Sequence, residues 1–203
     1  MRADRVILRS VLTTLLAIIV LFGAMLLVLC LVFPSTMMEL TYDLGMDGAS
    51  VKYAARAYRR TDDVYYAAFA TETSILMDDV EKIEENGLTL IQDDEFADYC
   101  KIRNDEIALN NEAVELSYEQ YIYGQVTMAQ YSQGKKTESV TTAFAGLNGA
   151  FPKNNAAALL LLTAKRVGDA DTVTLVENRI TEIVNTLDTE SEDYQYAMKL
   201  LSI

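Results

Sequence analysis

Residues 10–33 read SVLTTLLAIIVLFGAMLLVLCLVF, 24 consecutive positions without a charged side chain. A helix rises about 1.5 Å per residue, so this apolar stretch would extend about 36 Å, enough to cross a hydrocarbon core of about 30 Å with some tilt. A cleavable signal peptide fits poorly, because its apolar core holds roughly 7–15 residues. A buried globular helix is the other alternative, but such helices seldom run this long without a charge. The apolar stretch therefore predicts one membrane-spanning helix in contact with lipid.

The charges on either side of the apolar stretch predict its orientation. Arg2, Arg5 and Arg9 precede it, whereas residues 34–50 contain no Lys or Arg. Positive residues concentrate on the cytoplasmic side of membrane helices. We therefore expect a single-pass protein of the cell membrane, with a short cytoplasmic N-terminus at residues 1–9 and an extracytoplasmic domain at residues 36–203.

The part of the chain beyond the apolar stretch is acidic. It holds 14 Lys and Arg residues against 29 Asp and Glu residues, a net charge of −15. Nucleic acids and anionic lipids attract clustered positive charge. The balance therefore argues against a nucleic-acid partner and against docking of the domain on anionic lipid. It suits a domain that stays off the membrane surface, or one that meets basic partners or cations.

Residue types that carry chemistry are scarce. The chain has no histidine, which removes the commonest general base and the commonest zinc ligand. P-loop, G-x-S-x-G, G-x-G-x-x-G and C-x-x-C motifs are also missing from the sequence. A glycosidase could use two of the carboxylates, but nothing selects a pair. We therefore expect no enzyme activity, no cofactor and no metal site.

Two smaller features have alternative interpretations. The acidic cluster Asp93, Asp94, Glu95 and Asp98 does not have the spacing of an EF-hand loop, and acids are also favoured where a helix begins. Cys100 has no cysteine partner in its own domain, since Cys30 lies inside the apolar stretch. It is either a half-buried helix residue or the site of an intermolecular disulfide.

Apolar residues at spacings of three and four predict an all-α domain. The residues 156–167 are the most apolar after the apolar stretch, so we expect that helix at the centre. Capping patterns place helix starts after Thr61-Asp62, after Asp78-Asp79, after Asn110 or Asn111, and at a capping box of Thr189 and Glu192. The predicted helices cover residues 36–44, 49–60, 63–77, 80–91, 96–107, 112–133, 137–147, 156–167 and 171–187, with a terminal helix that ends near residue 201.

The predicted turns recur with a period. They lie at Gly45, Asp78, Gly134 and Gly168, at intervals of 33, 56 and 34 residues. The outer two intervals match a helical-hairpin repeat of about 34 residues. The middle interval equals that period with an insertion, which we place near residues 92–111.

The residues that follow the first turn carry a family resemblance. The run Leu44-Gly45-x3-Ala49-Ser50-Val51-x-Tyr53-Ala54 resembles the second half of a tetratricopeptide repeat, and Gly134, Ser139 and Ala143 repeat its spacing. The resemblance covers residues 38–184. It implies a TPR-like α-solenoid of stacked helical hairpins, each covering the apolar face of its neighbour. An unrelated helical bundle is the alternative.

Such repeats present extended surfaces that mostly bind protein segments. We therefore expect a membrane-anchored extracytoplasmic scaffold or accessory subunit that binds other membrane or extracytoplasmic proteins of an envelope complex. A non-catalytic binding module for a cell-wall polymer or a solute is the alternative.

Two groups of residues are candidates for the interaction surface. Tyr118 and Tyr121 share a face of one predicted helix, where they form either an aromatic groove or core packing. Arg56, Arg59 and Arg60 belong to the basic cluster of residues 49–60. That cluster is either a solvated face or a contact for lipid headgroups or anionic wall polymer.

Overall fold

The computed structural model describes residues 2–109, 116–145 and 156–202, with side chains from residue 9 onward. All regular secondary structure in these ranges is helical, which confirms the all-α prediction. The helices group into two compact units, Met1–Asp63 and Val64–Ile203. The predicted segments 1–9, 10–33 and 36–203 are defined relative to a membrane and stay predictions.

The first unit contains α1 (Arg2–Val32), α2 (Pro34–Asp43) and α3 (Asp47–Thr61). Within α1, residues Arg9–Val32 are long and apolar enough to cross a membrane, and the rest of the protein buries none of this helix's most apolar window. Pro34 separates α1 from α2, because proline lacks the N–H that would continue α1 yet suits the first position of a helix.

A small apolar core holds α2 against α3. Met38 of α2 is buried together with Val51 and Ala54 of α3. Burial of a side chain the size of Met38 stabilises a fold by about 1.5–3 kcal/mol relative to leaving it exposed. The core therefore fixes the face of α3 that points away from α2, which carries its basic residues.

The second unit is a succession of paired helices. Neighbours along the chain pack as α4 with α5, α7 with α8, and α9 with α10, while α5 and α9 both pack on α7. Helix α6 occupies most of the predicted insertion near residues 92–111, and α11 packs on α10. The helices are α4 (Val64–Leu76), α5 (Val80–Ile91), α6 (Phe96–Leu109), α7 (Tyr118–Ser132), α8 (Lys136–Ala145), α9 (Ala156–Val167), α10 (Ala170–Val184) and α11 (Glu192–Leu201).

The four predicted turn positions are confirmed by their backbone. Gly45, Asp78, Gly134 and Gly168 all have positive φ angles, between 54° and 76°. A left-handed residue ends a helix and lets its amide bond back to the last carbonyls, as the N–H of Gly168 does to Lys165 O at 3.2 Å. Each of these residues separates the two helices of one pair.

A fifth left-handed residue corrects a predicted cap. Asp62 (φ 56°) ends α3, and its N–H donates to Tyr58 O at 2.8 Å. The prediction that Thr61-Asp62 caps the following helix is therefore wrong. Aspartate tolerates left-handed backbone better than most residues, so the same side chain suits a helix end and a helix start.

The observed starts of two other helices differ from the predicted ones. Helix α7 begins at Tyr118, capped by Ser117, whose hydroxyl accepts from Gln120 N at 3.3 Å. The predicted caps at positions 110 and 111 lie outside the described residues. Helix α11 is capped by Ser191 rather than by the box at Thr189. Nearby Ser, Thr and Asn residues are nearly equivalent caps, so packing of the helix selects among them.

Close packing at a glycine joins α5 to α7. A Cβ atom built on Gly87 would lie 2.3 Å from Val126 Cγ2, and Val126 is fully buried. The two helices can approach this closely because Gly87 has no side chain. The core continues around Leu160 and Leu161 of α9, both fully buried, which confirms the central position expected for that helix.

Candidate functional site

An apolar groove lies on the second unit, between α7 and α9. It has a volume of about 270 Å³ and is lined by residues that include Tyr121, Gly124, Leu159, Leu162 and Tyr196. The other lining residues are also uncharged, and two glutamines are among them. We refer to it as the α7–α9 groove. Apolar concave surfaces with a few polar groups are typical of binding sites.

Helix α9 supplies the groove because it is apolar on two faces. Leu160 and Leu161 are fully buried in the core, whereas Leu159 and Leu162 are 46% and 45% exposed. Residues three apart share a helix face, so the two exposed leucines form one strip. Across the groove, a Cβ atom built on Gly124 would lie 3.7 Å from Leu159 Cδ2, which is an ordinary van der Waals distance. A larger side chain at Gly124 would occupy the space.

The two candidate tyrosines have different surroundings. Tyr121 is 37% exposed and lines the groove, whereas Tyr118 is 5% exposed. The Tyr118 hydroxyl donates to Glu72 Oε1 at 2.7 Å, and burial together with this carboxylate raises the pKa of Tyr118 far above its usual value. Burial also raises the pKa of Tyr121. Of the predicted aromatic pair, Tyr121 alone lines the groove.

Tyr118 belongs to a polar network that ties α6 to α4 and α7. Arg103 of α6 donates from Nη2 to Glu72 Oε1 at 3.3 Å, and its guanidinium lies 5.5 Å from the centre of the Tyr118 ring. Tyr99 packs edge-on against Tyr118, and burial raises the pKa of Tyr99 to about 12. Both phenols therefore stay neutral at physiological pH, and the contacts of Arg103 and Tyr99 with Tyr118 and Glu72 hold α6 in place.

The three candidate arginines lie on one side of α3. Arg56 Nη1 donates to the carbonyl of Cys30 at 3.1 Å, and Arg60 Nη1 donates to that of Leu31 at 3.2 Å. Arg59 instead donates from Nε to Ala55 O of its own helix at 3.2 Å. Two of the three candidates thus bond to the C-terminal end of α1.

The acidic cluster marks the start of α6. The Asp93 carboxylate accepts from Glu95 N at 2.8 Å, and Asp98 pairs with Lys101 at 2.6 Å. In the part of the chain that the structure describes, no group of three His, Cys, Asp or Glu side chains is arranged to hold a metal ion. Nearby, Cys100 is a free cysteine with 3% exposure, and burial raises the pKa of its thiol to about 12.

Sequence reasoning missed the groove leucines. The apolar composition of residues 156–167 predicts a central helix but does not by itself separate an exposed apolar strip from a buried one. Leu159 and Leu162 are a second apolar strip at a spacing of three, more than a one-sided helix requires. This excess was the available signal.

No protein-family model matches the chain, and no curated protein or solved structure is significantly similar to it. Three physical features of the chain point to its function. These are the apolar helix α1, the charge of each unit, and the α7–α9 groove.

Proposed function

We propose that the protein is a single-pass membrane protein whose N-terminus is cytoplasmic and whose outer helical domain is a scaffold or accessory subunit. The domain binds an apolar segment with basic flanks in another membrane or extracytoplasmic protein. The observation that carries this proposal is the uncharged α7–α9 groove on a strongly acidic unit. Helix α1 supports membrane attachment by its length and composition, and the arginines before it favour the orientation.

Volume limits what the groove accepts. Pockets for drug-sized ligands and cofactors occupy about 300–1,000 Å³. A groove of about 270 Å³ fits one or two apolar side chains of a peptide better than a whole cofactor. Leu159 and Leu162 supply the apolar contact, and Tyr121 and Tyr196 add aromatic surface with a polar tip.

Charge selects the flanks of the bound segment. Residues 64–203 hold 10 Lys and Arg residues against 24 Asp and Glu residues, a net charge of −14. Such a domain attracts positively charged segments and repels acidic ones. An uncharged groove within an acidic domain therefore favours a partner with apolar anchors and Lys or Arg on either side.

We also propose that the helix pairs are TPR-like repeats. Support comes from the left-handed residues at positions 45, 78, 134 and 168, which separate the two helices of each pair, and from the packing of α5 and α9 on α7. Repeats of this kind bury a continuous core by stacking and leave surfaces that accept peptide segments.

Fluorescent peptides added to the full chain in nanodiscs test the proposal. One peptide has a central Leu and Phe flanked by lysines, a second replaces the lysines by glutamates, and a third replaces the Leu and Phe by serines. We expect the first peptide to bind about tenfold or more tightly than either other, because apolar anchors and basic flanks are both needed. If the serine peptide bound as tightly as the first peptide, net charge alone would account for binding and the proposal would be contradicted.

Matched variants locate the binding site. Leu159→Glu places a charge in the groove and should weaken the first peptide about tenfold, since truncated or charged anchor positions commonly cost more than 1.4 kcal/mol. Leu175→Glu is the control, because Leu175 on α10 is 40% exposed but does not line the groove. Equal losses in the two variants would exclude the groove as the binding site.

A further inference from the structure

One carbonyl near the C-terminal end of α1 has no backbone N–H to accept from. The carbonyl of Leu29 accepts from Phe33 N at 3.0 Å, as in a regular helix. The next carbonyl, that of Cys30, would require an N–H at position 34, where proline has none. The last carbonyls of any helix also carry partial negative charge, which favours a cation nearby.

Two arginines of α3 supply the missing donors. Arg56 Nη1 donates to Cys30 O at 3.1 Å, and Arg60 Nη1 donates to the carbonyls of Leu31 and Val32. The hydroxyl of Tyr53 also donates to Cys30 Sγ at 3.0 Å. These contacts bring the guanidinium groups level with the last turn of the apolar helix.

The arginines keep donors that α1 does not use. A guanidinium carries five N–H donors, so each of Arg56 and Arg60 has several left. Lys52 and Arg59 are exposed on the same helix, four residues before and three residues after Arg56, spacings that place them on one face with it. Within the described residues, none of these four cations forms an ion pair with a carboxylate. We call residues 52, 56, 59 and 60 the basic face of α3.

A bilayer around α1 would set the level of this face. The apolar window of α1 ends at Val32, so its last carbonyls would lie where the hydrocarbon core meets the headgroups. Phosphates occupy that level, and arginine forms paired hydrogen bonds to them. Residues 34–63 carry four basic and five acidic side chains, so their net charge of −1 scarcely repels an anionic surface.

We propose that the basic face of α3 binds the phosphate groups of anionic phospholipids at the C-terminal end of α1. This inference rests on the proposed membrane anchor. Arg56 and Arg60 bond both to the end of α1 and to lipid phosphate, whereas Lys52 and Arg59 contact lipid but not α1. The acidic net charge of the whole chain does not indicate this basic site, because the acids are concentrated in residues 64–203.

The test reconstitutes the full chain in nanodiscs of phosphatidylcholine with a minor fraction of phosphatidylglycerol, and counts the lipids retained in native mass spectrometry. Lys52→Gln with Arg59→Gln removes the two cations that do not touch α1, so the attachment of α3 to α1 is kept. Each cation near an anionic surface contributes about fivefold to binding, so the double variant should retain phosphatidylglycerol much more weakly. The double variant should retain phosphatidylglycerol little better than it retains phosphatidylcholine.

The control variant is Arg166→Gln with Lys199→Gln, which removes the same two residue types from exposed positions of the second unit. It should keep the retention of the unmodified chain. Equal retention by the two double variants would overturn the lipid site, and so would displacement of the lipid by added inorganic phosphate. Extraction of the unmodified chain from vesicles by alkaline carbonate would instead overturn the membrane anchor, and the lipid site with it.

Discussion

Positively charged side chains have different partners in the two units. In the second unit most of those that the structure describes pair with carboxylates, as Lys165 does with Glu177 at 2.7 Å between Nζ and Oε1. In the first unit, Arg56 and Arg60 donate to backbone carbonyls at the end of α1. The same residue type therefore joins side chain to side chain in one unit and side chain to main chain in the other.

The difference follows from which acceptors each unit leaves unsatisfied. Pro34 deprives α1 of an amide donor, so the carbonyl of Cys30 is the acceptor to be filled. The second unit has more than two acids for every basic residue, so most of its cations have a carboxylate within reach. The partner of a cation is thus set by the nearest acceptor that lacks a hydrogen bond.

The largest effect is expected where the second unit depends on close helix packing. Gly87→Ala would place a Cβ 2.3 Å from Val126 Cγ2, on a stiff and fully buried side chain. Overpacking of this kind costs about 1–3 kcal/mol of the free energy of unfolding. Hydrogen exchange should show faster exchange in α5 and α7 and unchanged exchange in α3.

Gly124→Ala is the matched control for that variant. Its Cβ would make an ordinary contact of 3.7 Å, so we expect stability equal to or slightly above that of the unmodified chain. Similar protection of α5 in the two variants would mean that the contact between Gly87 and Val126 is not a tight one.

A smaller effect is expected at the end of α1. Arg56→Gln with Arg60→Gln removes the donors to its last carbonyls, and water can replace them in part because the contacts are exposed. We expect a loss of about 1 kcal/mol, read as faster hydrogen exchange in α3 of the full chain in nanodiscs. Arg59→Gln is the control, since Arg59 bonds within its own helix. If the control exchanged as fast as the double variant, the bonds to α1 would contribute nothing.

Acid should weaken the second unit at Asp169, the N-cap of α10. Its carboxylate accepts from Lys136, Thr172 and Tyr131, and the bond from Lys136 leads the interactions that hold its pKa well below the usual range. A carboxyl whose folded pKa is depressed stabilises the fold above its unfolded pKa of about 3.9, and that contribution is lost as the pH falls further.

Asp169→Asn should therefore lower the denaturation midpoint at neutral pH, and the gap to the unmodified chain should narrow below pH of about 4. Asp171→Asn is the control, because its carboxylate is 86% exposed and makes only a 3.5 Å contact with Lys136. A gap for Asp169→Asn that stayed constant down to the lowest pH would exclude the carboxylate's charge as the source of the effect.

The smallest effect is expected at Cys100, where the folded chain should barely react. Burial raises the pKa of its thiol to about 12, so the reactive thiolate is scarce at neutral pH. With Cys30→Ala as background, maleimide should label Cys100 only after denaturation. Rapid labelling of the folded chain would show that the thiol is accessible and would support an intermolecular disulfide at Cys100.

Local patterns predicted much of the fold. The bounds of α5 and α9 agree with the predicted helices 80–91 and 156–167, because each apolar face is bounded by strong turn residues. The left-handed turns at Gly45 and Gly168 followed from glycine between periodic segments. Short-range signals were sufficient wherever one residue type alone could satisfy the backbone.

Long-range choices could not be predicted. The cap of α7 is Ser117 rather than an asparagine earlier in the chain, because packing against other helices decides where that helix begins. The targets of Arg56 and Arg60 lie more than twenty residues away, and only the folded chain brings them together. The groove likewise needed the position of α9 relative to α7.

The proposed function requires that α1 crosses the membrane and leaves the acidic helical domain outside the cytoplasm. Cysteines introduced one at a time at Asp4 and at Leu76, which is 77% exposed, test this in a Cys30→Ala, Cys100→Ala background with a membrane-impermeant maleimide. Asp4→Cys keeps all three arginines before α1. Intact cells should label Leu76→Cys at once and Asp4→Cys only after lysis. Labelling of Asp4→Cys but not Leu76→Cys in intact cells would contradict this orientation of α1.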